Sequence, residues 1–268
     1  MRRLGLLLAS LAALSACATR RPPSATFAGE VPHVPDFASR PYEPFSRAAA
    51  VAIALREWRL FGQPVDDDPP GARPPPLTED KAERRQGLWQ RVGEYWYLGQ
   101  DANRPEARWT GLHNGDGSVF PADEDADYAW SAAFVSYVMR SAGAAARFPY
   151  SPAHHTYIDL ARTGGAAWAV AAQAPESYAP GLGDLICMSR TARPLRYADL
   201  PAGVYPAHCD IVVGGAPGLL DVLGGNVDDA VTMKHVPTTA SGLLAQPDGS
   251  VVDSRYPWFT VLKVSYDR

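Results

Sequence analysis

Cysteine is scarce in this chain, with three among 268 residues: Cys17, Cys187 and Cys209. Charge of either sign is not in excess; the formal net charge is −4, which gives no reason to expect nucleic acid as a partner. Long apolar runs are missing as well. The one run near the N-terminus, Leu4 to Leu14, is too short to cross a bilayer as a permanent helix, and no second run approaches it. Metal-site spacing of the His-Glu-x-x-His kind is absent, so a site drawn from His154, His208 and Asp210 has no support in spacing, and neither a metal nor a cofactor is expected. The acidic stretch Asp123, Glu124, Asp125 and Asp127 lacks the Gly and terminal Glu of a calcium loop and reads as surface. No internal repeat is present.

What is there begins at the N-terminus. Met1-Arg2-Arg3, the short apolar run and Ser15-Ala16-Cys17 make a secretory signal. Leu14-Ser15-Ala16-Cys17 also resembles the lipobox of bacterial lipoproteins. That resemblance implies a signal over residues 1–16, acylation of Cys17, and membrane attachment through lipid alone. Ala18, which is not Asp, points to the outer membrane, with the domain facing the periplasm. The other reading is an ordinary signal peptide with a stray Cys. Residues 17–41, rich in Pro, Ser and Ala, read as a tether, and residues 42–268 as a single domain. In an oxidising compartment the remaining even pair, Cys187 and Cys209, favours a disulfide between neighbouring strands; two buried free thiols are the alternative.

Helical spacing predicts helices over 43–60, 81–98, 130–141 and from Pro152 to Ala161, the last with Ser151 as cap. Leu88, Trp89, Val92, Tyr95 and Trp96 form one apolar stripe of the second. From Gly183 onward the pattern changes to short strands, at 184–189, 208–213, 219–223, 231–235 and 258–264. Helices followed by strands predict an α+β domain with an antiparallel sheet.

Three positions could carry chemistry. Ser131 opens the third helix, where the dipole and unpaired N–H groups favour an anion, although Ser is also a common cap. His208 and Asp210 alternate on one strand and share a face, as a base and its orienter would; a structural His at the sheet edge is the other reading. Asn226 follows Gly224-Gly225 and could orient an imidazole, or simply make a turn.

Order and context sharpen these signals. Trp130-Ser131-Ala132-Ala133-Phe134 resembles the Trp-Cys-Ala-Ala-Phe element of the CHAP amidase–peptidases. Gly183-Asp184-Leu185-Ile186, His208 to Val213 and Gly224-Gly225-Asn226 resemble their later elements. With Tyr95-Trp96, Pro152-Ala153-His154, Tyr157-Ile158 and His208-Cys209-Asp210-Ile211-Val212, the chain is also similar to a bacterial family called domain of unknown function 2272, over roughly residues 45 to 265. The resemblance implies a papain-like fold with Ser131 in the nucleophile's place, His208 as base, and Asn226 or Asp210 as orienter. Trp130 and His154 would line the cleft. It implies a cell-envelope protein acting on peptidoglycan amide bonds or, since Ser replaces Cys, a non-catalytic module that binds peptidoglycan or an envelope protein.

Overall fold

The computed structural model describes residues 44–72 and 81–267. The expectations for the signal, the tether and Cys17 lie outside the described residues. These fall within one compact unit, Pro41–Arg268.

Four α-helices precede the sheet: α1 (Arg47–Leu60), α2 (Leu88–Gly99), α3 (Ser131–Ser141) and α4 (His154–Thr163). Ser46 caps α1, its Oγ accepting from Ala49 N at 3.3 Å. The predicted second helix is interrupted. Gly87 sits at φ +90°, a conformation that ends regular helix, so a short helical turn at 82–84 is followed by a new start at Leu88. Val92, Tyr95 and Trp96 of the predicted stripe are buried, while Trp89 lies at its edge against His113. No helix among the described residues is long and apolar enough to cross a membrane.

Six strands follow: β1 (Val170–Gln173), β2 (Leu185–Ser189), β3 (Ala207–Ala216), β4 (Leu219–Val227), β5 (Ala230–Pro237) and β6 (Trp258–Val264). They form one antiparallel sheet in the order β1-β6-β2-β3-β4-β5. The α+β class is therefore observed. The unpredicted β1 is a short edge strand of small residues. Asp228 and Asp229, at φ 50° and 58°, make the tight turn between β4 and β5.

Both faces of the sheet are covered. On one, Cys187, Cys209, Ile211 and Leu223 pack against the helices. On the other, Ile186, Val212, Val222 and Trp258 pack under Leu244 and Tyr256 from the segment before β6. Helix α3 lies inside: Ser131 through Met139 are all buried. An amphipathic surface helix would leave one face wet. This one contacts α1, α2, β3 and β4. Each large side chain it buries contributes about 1.5–3 kcal/mol. Gly225 permits the approach of α3 to β4, since a Cβ there would stand 2.7 Å from Phe134 Cβ.

Candidate functional site

Ser131 is the first helical residue of α3, and Trp130 holds the cap position. Its hydroxyl does not cap the helix. Oγ lies 2.7 Å from His154 Nε2. His154 opens α4, one turn before Tyr157, and the His154 Nδ1 is hydrogen-bonded to the Tyr157 hydroxyl. The start of α4 thus differs from the prediction: Ala153 is its cap, and Ser151 Oγ instead accepts from Ala153 N at 3.1 Å.

A second set of partners stands beside the first. His208 Nε2 lies 2.8 Å from Asp210 Oδ1, and Lys234 Nζ donates to Asp210 Oδ2 at 2.8 Å. The pleat puts His208 and Asp210 on one face of β3, opposite to Cys209. Lys234 comes from β5, across the intervening β4. Gly224 of β4 leaves the room: a Cβ there would be 2.0 Å from Asp210 Oδ1 and 2.7 Å from His208 Nε2. The rings of His154 and His208 are 5.2 Å apart, centre to centre. Ser131 reaches from the helix side and His208 from the other, with His154 in contact with both.

Burial decides the charge states. Ser131 is 8% exposed, His154 5%, His208 3% and Tyr157 0%. Burial lowers the pKa of His154 well below its usual value, and the neighbouring His208 lowers it further. Burial also lowers His208, against the pull of Asp210. Both imidazoles are therefore neutral near pH 7. Burial alone would raise Asp210, but Lys234 and His208 overrule it and hold the carboxylate ionised. Burial raises Tyr157 well above its usual value, so it remains a phenol.

These states assign the protons. An ionised Asp210 only accepts, so His208 carries its proton on Nε2, leaving a lone pair on Nδ1. That Nδ1 has no partner among the described residues, and it is not sealed from solvent. In the other set, two arrangements are open. Either Tyr157 donates to His154 Nδ1 and His154 Nε2–H donates to Ser131, or the chain runs in reverse. The reverse strands the proton of the fully buried phenol, which costs more than leaving the hydroxyl of Ser131, a residue 8% exposed, without an acceptor. Ser131 at rest therefore receives a hydrogen bond and keeps its own proton to give.

His208 opens onto a cavity of about 430 Å³, bordered also by Ser189, Arg190, Asn226 and Tyr256. Ser131, His154 and Trp130 do not border it. Trp130 is in the core against Phe61, Tyr95 and Phe134, and its Nε1 donates to Glu83 Oε2. Asn226 lies in a bulge of β4 at φ 55°, and its amide contacts neither imidazole by hydrogen bond. Asp210, not Asn226, accepts the hydrogen bond from His208 Nε2–H. The sulfurs of Cys187 and Cys209 are bonded across β2 and β3, where the two residues are direct register partners. Asp125, read as surface, is buried between Lys81 and Arg84, because the turn at 82–84 lays both cations over it.

The sequence pattern of a family described as "Uncharacterized protein conserved in bacteria (DUF2272)" matches residues 83–264. The chain belongs to this family. No curated protein and no solved structure matches the chain. The DUF2272 stretch runs from the turn before α2 to the last residue of β6. It holds Ser131, His154, Tyr157, His208, Asp210 and Lys234, and leaves α1 outside.

Three of the residues in this site had no role in the sequence reading: Tyr157, Lys234 and Arg190. The spacing of His154 and Tyr157 on one helix face was a usable signal. For Lys234 the only hint is a Lys inside the strand pattern of Val231 to His235.

Proposed function

We propose that the domain is a serine-type amide hydrolase of the bacterial cell envelope, on a papain-like, CHAP-related fold, with peptidoglycan amide bonds as its substrate class. One observation carries the reading. Among these polar groups two valences are unmatched, the proton of Ser131 and the lone pair of His208 Nδ1, and they are the pair a nucleophile and its base require. Ser131 Oγ attacks the amide carbonyl, and its proton passes to His208 directly or through one water. Asp210, anchored by Lys234, holds the imidazole in the receiving tautomer and stabilises the imidazolium. His154 Nε2–H supports the serine oxygen, and the first N–H groups of α3, which lack intrahelical partners, face the developing oxyanion. The lipobox resemblance supports attachment at the outer membrane, with the tether at Cys17 and the domain toward murein.

The test is release of soluble fragments from purified murein by the exported domain. Wild type is expected to release product, and Ser131→Ala and His208→Ala to lose about 100-fold or more of the rate. Equal release by all three, or none by wild type, sinks the reading. Nitrogen shifts of the His208 ring provide a second check: a proton on Nδ1 instead of Nε2 is incompatible with its role as base.

The low exposure of Ser131 and His208 favours one second reading, a module that binds murein or an envelope protein without cutting it. A Ser131→Cys exchange separates the two. Hydrolysis that appears only with the thiol marks a built but unused site, and binding with no turnover in either form marks a binding module.

A further inference from the structure

The cavity beside His208 is bordered by one cation with no ion pair among the described residues. Lys234 is engaged by Asp210. Arg255 is held by Asp253, at 2.9 Å, and donates to the carbonyl oxygens of Asp67 and His235. Asp66 and Asp228 also border the cavity, and each has interactions of its own. Arg190 differs. It directly follows β2, its backbone N–H is bonded to Pro206 O at 3.0 Å, and its exposed guanidinium has no hydrogen bond or ion pair among the described residues. Its positive charge reaches both imidazoles, disfavouring their protonation. Asn226, in the β4 bulge, also borders the cavity, and its amide likewise has no hydrogen bond among the described residues.

A guanidinium fork matches a carboxylate in two parallel hydrogen bonds, and an amide N–H₂ can give a third. We propose that Arg190 and Asn226 bind the free carboxylate of the substrate, so that the amide cleaved is the one joining a C-terminal amino acid to the chain before it. This deepens the hydrolase reading and rests on it. The step balances. The Ser131 Oγ–carbon bond forms as the carbon–nitrogen bond breaks, and His208 returns the serine proton to the leaving amine. Water then splits the ester. The products are a shortened acid and a free amino acid whose carboxylate stays on Arg190 until release.

Binding tests this apart from turnover. Ser131→Ala protein is titrated calorimetrically at pH 7 with N-acetyl-Ala-D-Ala-D-Ala as the free acid and as its carboxamide. The acid is expected to bind at least about tenfold more tightly. Arg190→Gln in the same background is expected to erase the preference, with Arg190→Lys keeping part of it. Equal affinity for acid and amide, no binding of either, or a preference that survives Arg190→Gln overturns the inference. A clear preference with no murein hydrolysis by wild type leaves the carboxylate site standing and removes the catalytic reading alone.

Discussion

Glu57 and Ser131 are both buried members of polar clusters, one between α1 and α2, the other where α3 meets the start of β3. Glu57 is fully buried, and both its oxygens are saturated. Oε1 accepts from Arg56 and Arg91, and Oε2 from Arg91 and Tyr95. Although burial alone would raise its pKa, Arg91, Tyr95 and Arg56 bring it below the ordinary value. Nothing is left over to act on a ligand. The Ser131 cluster has comparable burial and a comparable ion pair, but a donor and an acceptor remain open, and one of its members borders a cavity. Buried polarity alone therefore does not mark a functional site. An incomplete set of partners next to open space is what supports the proposed site.

Asp210→Asn strikes the comparison hardest. Losing the anion frees the His208 tautomer and leaves Lys234 buried without a counter-charge. Hydrolysis of murein is expected to fall by about 1,000-fold or more, and denaturant unfolding to show a loss of about 3 kcal/mol. An unchanged rate would mean that the two clusters are of one kind, both structural.

Glu57→Gln is the complementary break. Arg91 loses a buried partner, and a stability loss on the order of 3 kcal/mol is expected, with hydrolysis per folded molecule unchanged. A rate loss without a stability loss would erase the distinction.

The smallest effect sharpens the contrast by a third case. Glu83 is buried beneath Trp130, and its Oε1 has no hydrogen-bond partner among the described residues. Burial, together with the nearby carboxylates of Asp229 and Asp125, pushes its pKa up to about 8 from the usual 4.5. Here a proton, not a ligand, fills the vacancy. The native state holds that proton while the unfolded chain gives it up, so stability from this group falls as pH rises from 4.5 and levels off above about 8. The two lowered histidines act oppositely but only below their usual 6.5. Thermal melts between pH 7 and 8 should therefore decline for wild type and be flatter for Glu83→Gln; parallel curves refute the assignment.

Much of this architecture was legible along the chain, and the reasons differ by element. The apolar spacing around Tyr95 and Trp96 and the alternation from His208 to Val213 follow from local periodicity, which a sequence displays directly. So did the shared face of His208 and Asp210. The contact of Ser131 with His154 was not legible, because it depends on how α3 and α4 pack, and neither helix carries a mark of the other. Lys234 meets Asp210 only through the register of three strands. Asn226 was given the orienting role because a Gly-Gly-Asn element suggested it. The glycines matter for a different reason, as Gly224 makes space for the His208–Asp210 bond and Gly225 for Phe134. The strand at 170–173 escaped notice because Val-Ala-Ala-Gln offers little β signal.

Cys209 stands between His208 and Asp210, and its covalent partner is directly opposite on β2. Side chains along a strand alternate, so a slip of one position would swing the imidazole and the carboxylate to the wrong side of the sheet. The cystine acts as a peg against that slip, while closing a 22-residue span and restraining the unfolded chain by about 3 kcal/mol. Chain produced in a reducing cytosol would lack the peg, and recombinant material for any of these assays is best made by export.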